Sequence, residues 1–154
     1  MPIGEFCNRE VVIASPDTTV LEAAQLMRQH HVGSLVVVES LTAARRPVGV
    51  VTDRDLVIEV LAKEVAPESL TVGDLITGNL VTDEVATVRT DAGIFDTLHY
   101  MREHGYRRMP VVDDDGQVAG IVTLDDYLAL FAEELTELTR LMVTEQQLEG
   151  KRRP

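Results

Sequence analysis

A chain of 154 residues, 45% apolar and 26% charged, can bury a core without disulfides or a structural metal, and it fits one domain or two small fused ones. Its formal charge of −12 repels nucleic acid at long range. Its single cysteine, Cys7, excludes an intramolecular disulfide and a multi-cysteine zinc site, and suits a reducing, cytoplasmic setting. Apolar runs such as Leu35 to Val38 fall far short of the ~20 residues of a membrane span, and Met1 to Glu10 lacks the basic start and apolar stretch of a signal peptide.

In chain order, a short strand is expected at Val11 to Ala14, followed by a helix. Its start is marked by the capping-box pair Thr19 and Glu22, and its apolar face by Val20, Ala23, Ala24 and Met27 at helical spacing. Strands follow at Leu35 to Glu39 and Val48 to Val51, joined as a hairpin across the loop Ser40 to Arg46, and a second helix closes the unit. Lys63 to Ser69, with Pro67, reads as a linker. The order then recurs: a strand at Val85 to Val88, a helix carrying Ile94, Leu98 and Met101, and strands at Met109 to Val112 and Val118 to Val122 around the turn Asp113 to Gly116. Nearly unbroken β-branched strands of this kind are covered by helices.

This recurrence is an internal duplication. The segment Val20 to Arg28 lies 74 positions before Ile94 to Arg102, and Gly49 to Asp55 lies 71 positions before Gly120 to Asp126. A fainter match, Ile3 to Cys7 with Val72 to Ile76, puts Cys7 opposite Ile76 and so in the core. Both copies carry Gly-h-h-Thr-x-x-Asp, where h is apolar, at a strand-to-helix junction. Such a junction can aim backbone N–H groups and a helix dipole at an anion. The Thr hydroxyl can bond a ribose or phosphate oxygen, the Asp can accept a ribose diol, and glycine permits close backbone approach. The competing reading is that Thr-x-x-Asp is itself a capping box that occupies both side chains. Duplication preserves either.

Two repeats with this motif, the run Arg107-Arg108-Met109-Pro110-Val111-Val112 and the opening Val72-Gly73-Asp74-Leu75-Ile76-Thr77 resemble a tandem pair of CBS domains, a Bateman module, over roughly Ile3 to Phe131. The resemblance implies an α/β (α+β) fold of two pseudo-twofold β-α-β-β-α repeats, at 3–66 and 67–131, with 132–154 as a helical extension and basic tail. It implies two clefts that in relatives take AMP, ADP, ATP, NAD or S-adenosylmethionine, with no cofactor required. Carried over by position, one cleft uses Ile121, Thr123 and Asp126 with Val11 and Val12, and the run Arg107, Arg108, Met109 and Pro110 is assigned to it with Arg107 on phosphate. The other uses Val50, Thr52 and Asp55 with Val85, Ala86 and the nearby Arg54. The Asp126 cleft is expected to suit phosphorylated nucleosides better, because the counterpart of Arg107 in the first repeat is Gly33.

Asp113 to Asp115 ahead of Gly116 reads as a hairpin turn rather than a metal site. His30, His31 and His104 fall at helix C-termini, where the dipole favours cations. Leu128, Phe131, Leu135, Leu138 and Met142 form a 3-4-3-4 seam that either packs on the chain's own elements or makes a homodimer contact. No residue pair supplies a nucleophile with a base, so an enzyme is the weakest reading. What remains is a sensor that binds an adenosyl ligand and acts through an effector protein the sequence does not identify, or a ligand-independent dimerisation module.

Overall fold

The computed structural model describes residues 1–77 and 85–153. By compactness the chain divides into two units, Met1–Val122 and Thr123–Pro154.

The first unit holds the first repeat and the second as far as Val122. In the first repeat α1 (Ile3–Phe6) precedes β1 (Ile13–Ala14), α2 (Val20–His30), β2 (Ser34–Val38) and β3 (Pro47–Thr52). The strands form a sheet in the order β1-β2-β3, with β1 parallel and β3 antiparallel to β2. α3 (Asp53–Leu56) follows directly and passes into a π-helical turn, Val57–Leu61. In the second repeat α4 (Val72–Thr77), β4 (Val88–Arg89), α5 (Ile94–His104), β5 (Arg108–Val112) and β6 (Val118–Thr123) give a second sheet, β4-β5-β6.

The opening strands are shorter than the sequence suggests. Each pairs with its neighbour over two residues, Ile13 and Ala14 on Val36 and Val37, and Val88 and Arg89 on Val111 and Val112. The apolar residues before them, Val11, Val12, Val85 and Ala86, precede the paired positions, with the Val12 carbonyl still accepting from Val36 N–H. The capping box of α2 forms as expected, with Thr19 Oγ1 accepting from Glu22 N–H and Glu22 Oε2 accepting from Thr19 N–H. α2 stops at His31, whose left-handed φ of 54° closes the helix. Gly105 does the same for α5 at φ 70°. The Asp113 turn is a turn: Asp113 Oδ1 accepts from the N–H groups of Asp115 and Gln117, and Gly116 takes φ 77°.

The opening helices are exchanged between the repeats. α1 belongs to repeat one, yet the N–H groups of Ile3 and Gly4 donate to the Ala92 and Thr90 carbonyls, and Asn8 pairs with Ile121, all in repeat two. α4 belongs to repeat two, yet Val72 and Gly73 donate to Thr18 and Pro16 of repeat one. A Cβ on Gly4 would lie 2.8 Å from Thr90 Cβ, and one on Gly73 would lie 2.7 Å from the Pro16 carbonyl, so only glycine allows each approach.

This exchange also shows what approaches the motif glycines closely. A Cβ on Gly49 would meet Ile76 Cδ1 at 2.6 Å, and one on Gly120 would meet Cys7 Sγ at 2.5 Å. The two glycines admit the end of the other repeat's opening helix. Cys7 is accordingly buried, opposite Ile76 by repeat symmetry. The core of repeat one gathers Ala14, Ala23, Leu35, Val37, Val51 and Val72, a residue of α4.

The second unit is described by α6 (Leu124–Arg152), capped by Thr123. It runs unbroken past residue 132, where the extension was expected to begin. None of the described helices is long and apolar enough to cross a membrane.

Candidate functional site

The strand-to-helix junction of repeat one decides what the motif can offer. β3 ends at Thr52, whose extended backbone (φ −109°, ψ 162°) turns the chain into α3. Thr52 Oγ1 accepts from Asp55 N–H at 3.2 Å, and Asp55 Oδ2 accepts from Thr52 N–H at 2.8 Å, a complete capping box. Asp53 N–H donates to the Gly33 carbonyl, and Arg54 N–H to Asp53 Oδ1. All four N–H groups from Thr52 to Asp55 are thus occupied inside the protein. The expectation that this junction holds free N–H groups for an anion fails here, because short polar side chains reach them first.

Capping does not exhaust the side chains. A carboxylate has two oxygens and a hydroxyl both accepts and donates. Asp55 Oδ1 and the Thr52 hydroxyl proton have no hydrogen-bond partner among the described residues, and both side chains are half-buried. The junction of repeat two repeats the geometry to the same distances: Thr123 N–H to Asp126 Oδ2 at 2.8 Å, Asp126 N–H to Thr123 Oγ1 at 3.2 Å.

Thr52 and Asp55 line a cavity of about 480 Å³, within the range usual for small-molecule sites. Its walls add Val50, Asp53 and Arg54 from the same junction, Val85 and Ala86 from the segment leading to β4, and Gly105 to Arg108 with Pro110 at the start of β5. The arginines Arg54, Arg107 and Arg108 all contribute, and none pairs with a carboxylate among the described residues. In a chain of net charge −12, three unpaired guanidiniums on one cavity make a local exception that favours an anion.

Arg107, Arg108 and Pro110, assigned by position to the cleft of Asp126, line the cavity of Thr52 and Asp55. Sequence proximity groups a segment with its own repeat, whereas the turn at Gly105 carries the start of β5 to the motif of the other. Met109 belongs to neither grouping. Strand alternation sends it to the opposite face, where it is 1% exposed and borders a small cavity with Thr97 and Tyr100.

Val11 and Val12 line a separate cavity of about 510 Å³ with Asn8, Glu10, Ile13, Leu26, His30 and Val32. It has a carboxylate and a histidine but no arginine. Ile121 is half-buried and held by its backbone to Asn8, and Thr123 and Asp126 open the second unit.

Tyr106 is a wall residue that sequence reading passed over. Its ring lies 5.7 Å from that of His104 with the planes 11° apart, and His104 in turn stacks on Tyr100 at 4.1 Å. The available signal was a tyrosine directly after the glycine that ends α5, where the side chain is left at the mouth of the next strand.

A family model described as CBS domain matches residues 3–62 and again 71–133. The chain belongs to the CBS-domain family. An uncharacterized protein of Methanopyrus kandleri is 36% identical over 126 residues, 82% of this chain and 60% of that protein, so the chain spans about three-fifths of that relative's length. Hypoxic response protein 1 of Mycobacterium tuberculosis is 34% identical over 122 residues, 79% of each chain. A crystal structure of Hypoxic Response Protein I holds two coordinated zinc ions. It is 32% identical, with a TM-score of 0.70 over 84% of this chain and 98% of its own. Among the described residues of this CBS protein, no group of three or more His, Cys, Asp or Glu side chains could hold a metal ion.

Two more CBS structures share the fold at lower identity. The CBS pair of protein MJ0100, in complex with 5-methylthioadenosine and S-adenosyl-L-methionine, is 24% identical, with a TM-score of 0.71 over 87% of this chain and 98% of that one. PAE2072 from Pyrobaculum aerophilum, complexed with AMP, is 22% identical, with a TM-score of 0.69 over 82% and 89%.

Proposed function

We propose that this CBS pair is a non-enzymatic regulatory module that binds an adenine nucleotide or related adenosyl ligand in the cavity of Thr52 and Asp55. The observation that carries the reading is the meeting of an unused carboxylate oxygen and hydroxyl proton with three unpaired arginines on one cavity of suitable size. In this reading Asp55 Oδ1 accepts the ribose diol and the Thr52 hydroxyl donates to a ribose or phosphate oxygen. Val50, Val85, Ala86 and Pro110 flank the base, and Arg54, Arg107 and Arg108 meet phosphate. The adenosyl ligands of MJ0100 and PAE2072 support the ligand class. The arginines rank AMP, ADP and ATP above S-adenosylmethionine, whose sulfonium is cationic. NAD, with two phosphates, stands between.

The pair Thr123 and Asp126 is the weaker candidate. Its capping box is equivalent, but the cavity lined by Val11 and Val12, the segment assigned to it by position, has no arginine or lysine. Ligand binding is transmitted to an effector protein. One observation favours the ligand-independent alternative: both capping boxes are complete, so the motif would stabilise its helices with no ligand at all.

A thermal-shift titration separates the two. Ligand at a hundred times its dissociation constant adds about 2.7 kcal/mol of stability, which in a domain this size raises Tm by roughly 5–10 °C. AMP, ADP or ATP is expected to give such a shift. No shift with any of them, with NAD or with S-adenosylmethionine at millimolar concentration leaves the structural module as the account.

A further inference from the structure

The cavity of Thr52 and Asp55 contains a donor that the nucleotide reading leaves idle, the phenol of Tyr106. Its backbone is fixed by the end of α5. Gly105, at φ 70°, donates its N–H to the Arg102 carbonyl, and the Tyr106 N–H donates to the Met101 carbonyl at 2.9 Å, the paired closure of a helix that stops on a left-handed glycine. The ring is held too. It stacks on His104 at 5.7 Å, and His104 is in turn fixed by its own stack on Tyr100 at 4.1 Å and by its Nδ1, 2.9 Å from the Tyr100 carbonyl. The Tyr106 hydroxyl has no hydrogen-bond partner among the described residues, and the side chain is 36% exposed.

The order of residues along the cavity walls gives this hydroxyl a place. On the segment that enters β5 the lining runs from apolar Pro110 through Arg108 and Arg107 to Tyr106. On the junction of β3 and α3 it runs in the same sense, from apolar Val50 through Thr52 to Arg54. A nucleotide with its base at the apolar end and its ribose on Asp55 therefore points its phosphates toward the arginines. Each further phosphate carries the chain toward Tyr106.

We infer that Tyr106 is a specificity-determining residue that reads the length of the phosphate chain. Its hydroxyl donates to the terminal phosphate of a nucleoside triphosphate and does not reach the single phosphate of a monophosphate. The inference rests on the nucleotide reading of this cavity and sharpens it. A hydrogen bond to a charged oxygen is stronger than one between neutral groups, and a ring already held by stacking loses little freedom when it makes that bond. His104 is then a positioning residue, which acts on the ligand only through the Tyr106 ring.

The test is calorimetric titration of AMP and ATP into the full chain and its variants. Tyr106→Phe keeps the ring and its stack and removes only the hydroxyl. It should weaken ATP roughly tenfold, the loss of one hydrogen bond to a charged group, and leave AMP unchanged. His104→Ala should weaken ATP several-fold in the wild-type background and have no further effect in Tyr106→Phe, while His104→Phe, which returns a flat ring to the stack, should restore ATP binding. A wild type that binds neither nucleotide overturns the nucleotide reading and this inference with it. A wild type that binds both, with ATP unaffected by Tyr106→Phe or with AMP and ATP weakened equally, overturns this inference alone. A His104→Ala loss that persists in Tyr106→Phe overturns the positioning role.

Discussion

The two motif junctions are alike in their hydrogen bonds and unlike in their surroundings. Thr52 with Asp55 and Thr123 with Asp126 form the same box, at 2.8 Å and 3.2 Å in each case. Yet the first lines a cavity with three arginines that have no carboxylate partner among the described residues, while the cavity of Val11 and Val12, the segment assigned to the second motif, has no arginine. The motif alone therefore does not identify a ligand site. It holds a helix start in both repeats, and the proposed ligand site differs in the wall supplied by the other repeat.

The comparison is most sharply broken at the motif glycines, which are equivalent by repeat yet face different neighbours. A Cβ at Gly120 would sit 2.5 Å from Cys7 Sγ and 2.8 Å from the Asn8 carbonyl, a backbone atom that cannot rotate away. Gly120→Ala is expected to cost about 2–3 kcal/mol in urea unfolding. At Gly49 the clash is with the flexible end of Ile76, and Gly49→Ala should cost about 1 kcal/mol. Equal costs would mean that the exchanged opening helices are not held as described.

A smaller effect is expected at the caps. Thr52→Ala and Thr123→Ala should each lose about 1 kcal/mol without ligand, as caps do, but with saturating AMP the Thr52 variant should lose more than the Thr123 variant, because in the proposed reading Thr52 also meets the ligand. Arg107→Ala should leave unliganded stability unchanged, since the side chain is exposed. It should weaken ADP and ATP several-fold more than adenosine in calorimetric titration. Removal of residues 150–154, beyond the last apolar position Leu148, should leave the unfolding midpoint and nucleotide affinity unchanged.

What could be read from the sequence was whatever is decided within a few residues or by simple recurrence. The duplication, the box of Thr19 and Glu22, the Asp113 turn and the hairpins of each repeat depend on local spacing, and local spacing is visible. The burial of Cys7 followed from its alignment with Ile76. The exchange of α1 and α4 was not visible, because the hydrogen bonds from Gly4 to Thr90 and from Gly73 to Pro16 join residues far apart in sequence with no motif to announce them. The grouping of Arg107 has the same origin. It shares a cavity with Thr52 and Asp55, over fifty residues upstream, and nothing in the run Arg107-Arg108-Met109-Pro110 says which repeat it faces. Occupation of the Asp53 N–H by the Gly33 carbonyl was hidden for that reason too, so the junction looked more open to an anion than it is.

The central claim is that the cavity of repeat one, with Asp55, is the nucleotide site and that the motif of repeat two is chiefly a cap. The direct measurement is calorimetric titration of AMP and ATP into the wild type, Asp55→Ala and Asp126→Ala. Two charge-assisted bonds to a ribose diol contribute on the order of 1.5–3 kcal/mol each. Asp55→Ala is therefore predicted to weaken binding at least tenfold, while Asp126→Ala loses about 1 kcal/mol of stability and keeps wild-type affinity. The reverse pattern, with affinity lost in Asp126→Ala and kept in Asp55→Ala, would contradict the account.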